Sequence, residues 1–459
     1  MLFSSLSFLY YFLPAVLIVY FLVPERGKNP VLLLASLLFY GWGEPKYVAL
    51  MMLTITLFYL CGLAMGRWPG RKRAFLVLSV ALGAALLGIF KYADFIITTV
   101  NGILGSQLPL LRLALPVGIS FYTFQCISYA ADVYRGDARP QRNFIAFGAY
   151  VSMFPQLIAG PIVRYVDVAP ALEHRRHSRQ EIALGLRRFL VGLSKKILLA
   201  NQLGALTESY RASTQQTVLF AWLYAAAFLL QIYYDFSGYS DMAIGLGRIL
   251  GFRFPENFDY PYCSRSVTEF WRRWHMSLGT WFRDYVYIPL GGSRVSRAKW
   301  VRNILVVWML TGLWHGASWN FVLWGLLFAG LLLLEKAVPG LKTLPGALGS
   351  VYVVFVVLLS FVLFNADSLS QAGTDFLSMF GLAGLPGVNR ESLYFLRSNL
   401  VLLAVSAVGA TPLPRRLYEK VSHSGLVTVL EPIALLALLL VCTAYLVDGS
   451  FNPFLYFRF

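Results

Sequence analysis

Long runs of apolar residues, separated by short polar loops, recur from one end of the 459-residue chain to the other. A helix that crosses a bilayer needs about 20 such residues, because its length must match the hydrocarbon thickness. The runs are solid and do not alternate with a period of two, so they predict helices and not the strands of a membrane barrel. The pattern therefore predicts an all-α, polytopic integral membrane protein, a multi-helix bundle with about 10–12 membrane segments, some of them re-entrant or interfacial.

Individual spans are predicted where an apolar run is bounded by charged residues or by proline and glycine. The predicted spans are residues 2–23, 30–43, 47–65, 74–92, 112–133, 218–234, 351–364, 394–411 and 426–447, together with the long stretch 301–336. The run 30–43 is short for a crossing. The aromatic tail 452–459 is expected to dock against the bundle.

The run 144–163 is predicted to be a broken or re-entrant segment. It contains Pro155, Gly160 and Pro161, and a basic block at residues 164–179 follows it. If the run crossed the membrane, this block would lie outside, against the positive-inside rule. Broken helices at membrane depth are tolerated where they line a cavity, so the segment indicates an internal chamber. The amphipathic segment 181–200 fits either an interfacial helix or a slanted span.

The chain carries a formal net charge of +17, although only 13% of its residues are charged. The basic residues cluster in loops between apolar runs, such as residues 67–73 (RWPGRKR), which the positive-inside rule places on the cytoplasmic side. Anchoring in a membrane therefore explains the charge, and no nucleic-acid partner is expected. The four cysteines are scattered without metal-ligand or disulfide spacing, so no metal site is expected.

His315 is an ionisable residue near the middle of the stretch 301–336, and an ionisable group at bilayer depth is a functional-site hypothesis. On a continuous helix, Thr311 and Ser318 would lie on the same face as the imidazole. The tryptophans predicted to pack around it and the small residues predicted to admit a second backbone are Trp308, Trp314, Trp319, Gly312, Gly316 and Ala317. The alternative is a structural histidine that joins two helices.

The polar sequence DFSGYSD, residues 235–241, follows the predicted span 218–234. Two carboxylates six residues apart resemble a metal loop, but the sequence lacks the acidic positions and the following glutamate of an EF-hand. Metal binding is therefore not expected. The residues expected to cap a helix start and to bond to other buried polar groups are Asp235, Ser237, Ser240 and Asp241.

A second histidine lies in residues 270–292, FWRRWHMSLGTWFRDYVYIPLGG. If this segment is helical, its aromatic residues form one continuous apolar arc, His275 lies at the edge of the arc, and Arg272 and Arg283 lie beyond it. An interfacial helix with an aromatic belt explains most of these residues. We expect His275 to differ from them and to face the same interior as His315.

Three stretches together resemble the membrane-bound O-acyltransferase family. They are residues 231–262 (QIYYDFSGYSDMAIGLGRILGFRFPENFDYPY), residues 270–292 and residues 310–325 (LTGLWHGASWNFVLWG). Within the family, the sequence resembles the bacterial branch of alginate and other polysaccharide O-acetyltransferases and, more distantly, the D-alanyl-transfer proteins of teichoic acid synthesis. The likeness covers nearly the whole chain, although the C-terminal part is short for the alginate proteins.

The resemblance implies a single membrane domain over residues 1–459, built around a central funnel or tunnel. N-terminal spans would occupy residues 1–143, a catalytic core residues 144–347, and C-terminal spans residues 348–459. The resemblance also implies catalytic roles for His315 in LWHG and for His275 in RRWH. A multi-pass protein of the bacterial cytoplasmic membrane is expected.

The resemblance further implies transfer of an acyl group from a cytoplasmic thioester to an extracytoplasmic acceptor. The donor would be acetyl-CoA or the phosphopantetheine thioester of an acyl carrier protein, and no cofactor would be bound permanently. A separate extracytoplasmic transferase of the serine-hydrolase type is expected as a partner, with a polysaccharide as the acceptor. D-Alanyl transfer to teichoic acid and a non-enzymatic transporter are the alternatives.

The residue types permit acyl transfer by general base catalysis. A histidine buried among tryptophans should be neutral, so His315 is expected to take the proton from the acceptor hydroxyl. An acyl-histidine intermediate is the less favoured variant. His275, helped by Ser318 or Asn320, is expected to stabilise the oxyanion or to orient His315. The other residues expected to bind substrate or shape the site are Trp271, Arg272, Trp274, Arg283, Asp284, Trp314, Asp235, Ser237 and Asp241.

Overall fold

The computed structural model describes residues 1–158, 160–449 and 455, and helices form nearly all of the regular structure in them. The helices are α1 (Leu13–Leu22), α2 (Glu25–Gly43), α3 (Val48–Arg67), α4 (Lys72–Leu87), α5 (Ala93–Leu104), α6 (Ile119–Arg135), α7 (Phe144–Ser152), α8 (Phe154–Leu157), α9 (Tyr165–Glu173), α10 (Arg179–Ser194), α11 (Asn201–Ala212), α12 (Val218–Ile249), α13 (Val267–Arg273), α14 (Met276–Phe282), α15 (Arg297–His315), α16 (Trp319–Ala337), α17 (Gly346–Asn365), α18 (Leu369–Met379), α19 (Arg390–Gly409), α20 (Leu413–Val421) and α21 (Gly425–Asp448). Short π-helical turns occupy Ser7–Phe12, Gly88–Tyr92, Lys195–Ala200 and Arg283–Tyr287, and 3₁₀ turns occupy Pro45–Tyr47, Pro69–Arg71, Pro261–Cys263 and Pro339–Lys342. The predicted docking of the tail 452–459 lies outside the described residues except at Leu455.

Within the described residues, seven helices are long and apolar enough to cross a membrane. They are Pro45–Arg67, Pro69–Leu104, Val218–Ile249, Trp319–Ala337, Gly346–Asn365, Arg390–Gly409 and Gly425–Asp448. The predicted all-α, polytopic membrane protein is therefore confirmed. The predicted broken segment is also confirmed, because α7 ends at Ser152 and the backbone departs from helical geometry at Met153 before α8 begins.

The chain packs as two compact units. The first comprises Met1–Phe189 and Ser240–Glu256, and in it α3, α4 and α6 pack against one another. The second comprises Leu190–Tyr239 and Asn257–Phe459 and contains the paired helices α15 and α16. Helix α12 contributes residues to both units. The prediction of one membrane domain over the whole chain stays a prediction.

Helices α15 and α16 of the second unit form a hairpin in which the two backbones touch. A Cβ atom on Gly312 would lie 2.2 Å from the carbonyl oxygen of Phe321, and one on Gly325 would lie 2.2 Å from that of Trp308. Any larger residue would force the helices apart, because a Cβ cannot approach backbone atoms so closely. The predicted role of Gly312 in close helix packing is therefore confirmed. The hairpin brings the C-terminal end of α15, where His315 lies, against the start of α16.

Candidate active site

His315 is the last residue of α15, and the helix stops there because Gly316 is extended, with φ −171° and ψ 155°. Ser318 follows as the residue that precedes the first turn of α16. The predicted continuous helix through His315 is therefore wrong beyond this point. Thr311 shares the face of α15 with His315, whereas Ser318 belongs to the next element and does not lie on that stripe.

The imidazole of His315 is 6% exposed and packs edge-to-face against three aromatic rings. The centroid distances are 5.0 Å to Trp314, 5.1 Å to Trp324 and 5.2 Å to Phe364. The predicted packing against Trp314 is confirmed. Trp319, a predicted neighbour, is 49% exposed on the surface of α16. Trp324, which the sequence did not predict as a neighbour, lies on the buried face of the same helix and packs on His315.

The predicted continuous helix over residues 270–292 is also wrong. Helix α13 ends at Arg273, and His275 adopts a left-handed backbone conformation with φ 45° before α14 begins at Met276. A loop segment causes this break by pairing with the chain on both sides of it. Asp259 N–H donates to the carbonyl oxygen of Arg273 (3.0 Å), and Met276 N–H donates to that of Asn257 (3.0 Å).

Asn257 also fixes the imidazole of His275. The Asn257 side-chain oxygen accepts from the backbone N–H of Ser277 (3.2 Å) and from the Ser277 hydroxyl (2.9 Å), and it lies 3.1 Å from Nδ1 of His275. A backbone N–H can only donate, so the oxygen must be the acceptor atom of this amide. Nδ1 of His275 therefore carries a proton, and Nε2 is an acceptor in the neutral ring.

The structure brings the two histidines to the same tryptophan. The ring centroid of Trp314 lies 5.5 Å from that of His275 and 5.0 Å from that of His315. His275 is 1% exposed, and the ring of Phe236 packs edge-on against it at 4.6 Å. Burial, followed by the nearby imidazole of His315, lowers the pKa of His275 well below its ordinary value. His275 is therefore neutral near pH 7.

A cavity of about 840 Å³ reaches His275. Its inner wall contains aromatic and hydroxyl groups, including Trp271, Trp308 and Thr311, and its outer wall carries basic side chains. The basic residues in the wall are Arg272, Arg283, Lys336 and Lys342. Asp284 holds the guanidinium of Arg283 through hydrogen bonds of 2.7 and 3.2 Å. Within the described part of the chain, His315 does not contribute to this wall, although Thr311 lies one turn before it on α15.

A model of the membrane-bound O-acyltransferase family matches residues 139–365, which include the broken segment, both histidines and the cavity wall. A probable alginate O-acetylase of Pseudomonas aeruginosa is 43% identical over 417 residues, which cover 88% of this chain and 80% of that protein. The chain belongs to the membrane-bound O-acyltransferase family. The protein is therefore an acyltransferase, as the sequence resemblance implied.

More distant relatives extend the comparison. The peptidoglycan O-acetyltransferase of Helicobacter pylori is 34% identical over 438 residues and covers 86% of this acyltransferase and 83% of its own length. The teichoic acid D-alanyltransferase of Bacillus subtilis is 29% identical over 266 residues and covers 54% of this chain and 67% of its own. The predicted order of resemblance, O-acetyltransferases before D-alanyltransferases, is confirmed.

The structure distributes the other predicted site residues of this acyltransferase over several environments. Trp271 lines the cavity and packs against Trp308 at 4.6 Å, whereas Trp274 is 3% exposed and packs in the aromatic core. The side-chain amide of Asn320 donates to the carbonyl oxygen of Ala366 (2.8 Å), which ties the start of α16 to the end of α17. Ser318 is half-buried between α15 and α16.

The DFSGYSD residues lie inside the long helix α12, so the predicted helix cap is wrong. The predicted bonding to other polar groups is confirmed for Asp235 and Asp241, whereas the buried hydroxyls of Ser237 and Ser240 have no hydrogen-bond partner among the described residues. In the second unit, Asp235 lies 2.5 Å from Lys196 and accepts a hydrogen bond from the backbone N–H of Leu455 (2.7 Å). In the first unit, Asp241 pairs with Arg188 at 2.9 Å. The two carboxylates therefore have separate partners.

Ser237 and Ser240, the two serines of the motif, are each 2% exposed on α12. Among the described residues, no group of three or more histidine, cysteine, aspartate or glutamate side chains is placed to hold a metal ion. The motif contributes to the site indirectly instead, because Phe236 follows Asp235 and packs on the ring of His275.

Sequence reasoning missed several residues that build the site. Asn257 fixes the His275 ring, and Trp324 and Phe364 enclose His315. Glu335 is fully buried in α16 and binds the N-terminal end of α13. Glu335 could have been found, since a carboxylate in an apolar span is costly and needs a partner. Nothing in the sequence marks Trp324 and Phe364, because tryptophan and phenylalanine are common throughout the chain.

Proposed function

We propose that this membrane acyltransferase takes an acetyl group from a cytoplasmic thioester and supplies it for O-acetylation of an extracytoplasmic polysaccharide. Relatives named as an alginate O-acetylase and a peptidoglycan O-acetyltransferase support a polysaccharide acceptor and an acetyl group. The bacterial cytoplasmic membrane is the proposed location, because thioester donors are made in the cytoplasm and the acceptors lie outside.

The link between His275, which lines the cavity, and His315, which contacts the same Trp314 ring, carries this proposal. The site combines two imidazoles with aromatic walls and a basic outer rim. Acyl transfer from a thioester needs a base for the attacking hydroxyl, exclusion of water and a site for donor phosphates. In the second unit, the imidazoles could supply the base, the aromatic walls could exclude water, and the basic rim could bind the phosphates.

In the proposed step, His315 removes the proton from the acceptor hydroxyl while its oxygen attacks the thioester carbonyl carbon. The tetrahedral intermediate then collapses, the carbon–sulfur bond breaks, and the imidazolium returns the proton to the leaving thiolate. The products are an O-acyl ester and a free thiol, and His315 ends neutral. Positioned proton transfer of this kind is worth about 10²–10⁴-fold in rate.

His275 plays a supporting part in this proposal. Its Nδ1–H is engaged by Asn257, so its Nε2 can accept a hydrogen bond from an O–H or N–H of a substrate in the cavity. Stabilising an oxyanion would instead require a proton on Nε2. The tautomer inferred from the contact with Asn257 therefore favours an orienting role over the predicted oxyanion role.

The proposed donor is acetyl-CoA or a carrier-bound phosphopantetheine thioester. Both carry phosphate groups, and Arg272, Arg283, Lys336 and Lys342 line the cavity wall. Guanidinium and ammonium groups bind phosphate oxygens through charge-assisted hydrogen bonds. The donor would be a substrate that leaves after each turnover. A separate extracytoplasmic transferase of the serine-hydrolase type is the proposed partner that passes the acetyl group to the polysaccharide.

The test measures O-acetyl ester in purified envelope polysaccharide from cells that carry wild type, His315→Ala or His275→Ala. His423→Ala is the matched control, because this histidine is exposed in the loop after α20. Immunoblotting confirms equal amounts of each variant in the membrane. We expect ester to be lost with His315→Ala, reduced with His275→Ala and unchanged with His423→Ala.

The same purified polysaccharide samples are also hydrolysed and analysed for D-alanine. Loss of D-alanyl ester together with unchanged O-acetyl ester would replace the proposal with D-alanyl transfer. Unchanged levels of both esters with His315→Ala would refute an acyl-transfer role for the buried histidine and would favour the transporter alternative.

A further inference from the structure

A second large concavity lies in the first unit, on the outer face of the α3–α4 pair. It encloses about 1440 Å³ and is formed by the C-terminal half of α3, residues 75–82 of α4, the segment 139–142 after α6, and the end of α9. It shares no residue with the cavity at His275. Nothing in the proposed acyl transfer uses it.

The groove has the depth of one membrane leaflet. On α3 its wall runs from Leu57 to Arg67, and the ten helical steps between these two residues span about 15 Å. Half of the hydrocarbon thickness of a bilayer is also about 15 Å. Both helices belong to segments long enough to cross a membrane, and the turn Pro69–Arg71 joins them. The Arg67 end of the groove therefore lies at a membrane surface and the Leu57 end at mid-depth.

The deeper walls of the groove are apolar. Leu57 and Leu60 line it from α3, and Leu78 and Leu82 line it from α4. Leu60 is 52% exposed and Leu78 is 47% exposed, so these side chains are available to a ligand. At this depth the exposed leucines contact lipid chains and not water. The walls thus fit a hydrocarbon chain.

The surface end of the groove is basic. Arg67, Arg139 and Arg142 line it together with a single carboxylate, that of Glu173, which leaves an excess of two positive charges. All three arginines are exposed. Trp68 also lines this end and stacks on Phe75 at a centroid distance of 5.9 Å, an arrangement typical of the membrane interface. Arginine guanidinium groups match phosphate geometry through paired hydrogen bonds.

We propose that this groove binds an anionic phospholipid, with an acyl chain between α3 and α4 and the phosphate among the three arginines. A basic pocket between membrane helices is a known form of head-group recognition. A lipid fits better than an acidic protein, because most of the wall lies at hydrocarbon depth and a protein partner would leave those leucines uncovered.

The test compares phosphatidylglycerol with phosphatidylcholine of identical chains, each titrated onto the purified full-length protein in detergent and counted by native mass spectrometry. The variant Arg67→Gln/Arg139→Gln/Arg142→Gln removes the basic end. The control Arg294→Gln/Arg297→Gln/Lys299→Gln removes the same three positive charges from exposed positions in the second unit. We expect wild type and control to bind phosphatidylglycerol about tenfold more tightly than phosphatidylcholine, and the groove variant to lose that preference.

A second variant addresses the apolar walls. Leu60→Trp/Leu78→Trp fills the groove and should abolish tight binding of phosphatidylglycerol while the arginines remain. Equal binding of the two lipids by wild type would overturn the proposal, as would a preference that survives in the groove variant. Displacement of the lipid by inorganic phosphate at equal concentration would show a head-group site without a chain groove, which also contradicts the proposal. Size-exclusion profiles verify that each variant is folded.

Discussion

Glu335 accepts two hydrogen bonds from Thr268, one from its backbone N–H (3.0 Å) and one from its hydroxyl (2.6 Å). A third bond comes from the backbone N–H of Val267 (2.5 Å). The first N–H groups of a helix have no partner within it, so the carboxylate of α16 completes the N-terminal end of α13. Helix α13 carries Trp271 and ends just before His275. Glu335 therefore holds one wall of the cavity in place.

Replacement of Glu335 by alanine should lower the free energy of unfolding by about 3 kcal/mol, because it leaves one buried and two partly buried donors without their acceptor. Glu335→Gln should cost less, since its amide keeps one acceptor oxygen. Both effects are measured as thermal unfolding in detergent followed by tryptophan fluorescence.

The control for Glu335 is Glu208→Ala, which removes an exposed carboxylate from α11. It should change the free energy of unfolding by less than about 0.5 kcal/mol. A Glu335→Ala variant as stable as this control would contradict the assigned contact. The same variants also test the site. If Glu335 holds α13 in place, Glu335→Ala should reduce the rate of acyl transfer by more than the fraction of protein that is unfolded.

Seven of the ten predicted spans overlap helices that are long and apolar enough to cross a membrane in the described residues, whereas residues 2–23, 30–43 and 112–133 do not. The site was predicted less well than the spans, for a physical reason. A span depends on the hydrophobicity of its own residues, which can be read locally. The break at His275 depends instead on Asn257, a loop residue 18 positions earlier whose backbone and side chain pair with Met276 and His275. No local propensity marks such a contact. The end of helix α15 at His315 could have been predicted from the sequence, because Gly316 follows it directly.

Changes at Asn257 should alter the pH dependence of the reaction. Asn257→Asp would place a carboxylate about 3 Å from Nδ1 of His275, and an opposite charge at that distance raises the pKa of a histidine. In the wild type, burial lowers the pKa of His275, so the ring stays neutral even when the pH falls below the ordinary pKa of histidine. The variant ring would become protonated at a higher pH. The acid limb of the profile of log kcat/KM against pH should therefore shift upwards in Asn257→Asp.

The comparison variant is Asn257→Leu, which removes the acceptor without adding a charge. It should lower kcat/KM by about tenfold or more through loss of the fixed tautomer, with no upward shift of the acid limb. Identical pH profiles for wild type and Asn257→Asp would show that His275 has no part in the rate-determining step. Membrane levels and size-exclusion profiles are measured first, because position 257 is buried.

The buried pair of Lys196 and Asp235 should show strong coupling. Either Lys196→Met or Asp235→Asn alone leaves a charge without its partner in a buried position, which costs about 3 kcal/mol. The double variant removes both charges and should be much less destabilised than the two single losses together. The exposed pair Arg415–Glu419 serves as the control cycle, with an expected coupling below about 0.5 kcal/mol. Additive losses at the buried pair would contradict a direct interaction.

Replacing the arginines at the cavity rim by neutral residues should weaken binding of the proposed donor more than it slows the chemical step. Arg272 and Arg283 line the outer part of the cavity, and both are exposed, so their attraction for the proposed phosphorylated donor would be screened by salt. In the purified protein, Arg272→Gln/Arg283→Gln should raise KM for acetyl-CoA about tenfold at low salt and leave kcat within about twofold.

The salt dependence distinguishes electrostatic recognition of the donor from a structural effect of the two arginines. Raising the ionic strength from about 0.05 to 0.5 M shortens the Debye length severalfold, so KM of the wild type should rise towards that of the variant. Arg294→Gln/Arg297→Gln carries the same charge change outside the cavity wall and should keep the wild-type KM at low salt. A fall in kcat with unchanged KM would instead place the two arginines in the packing of the site, because only a ground-state contact with the donor changes KM alone.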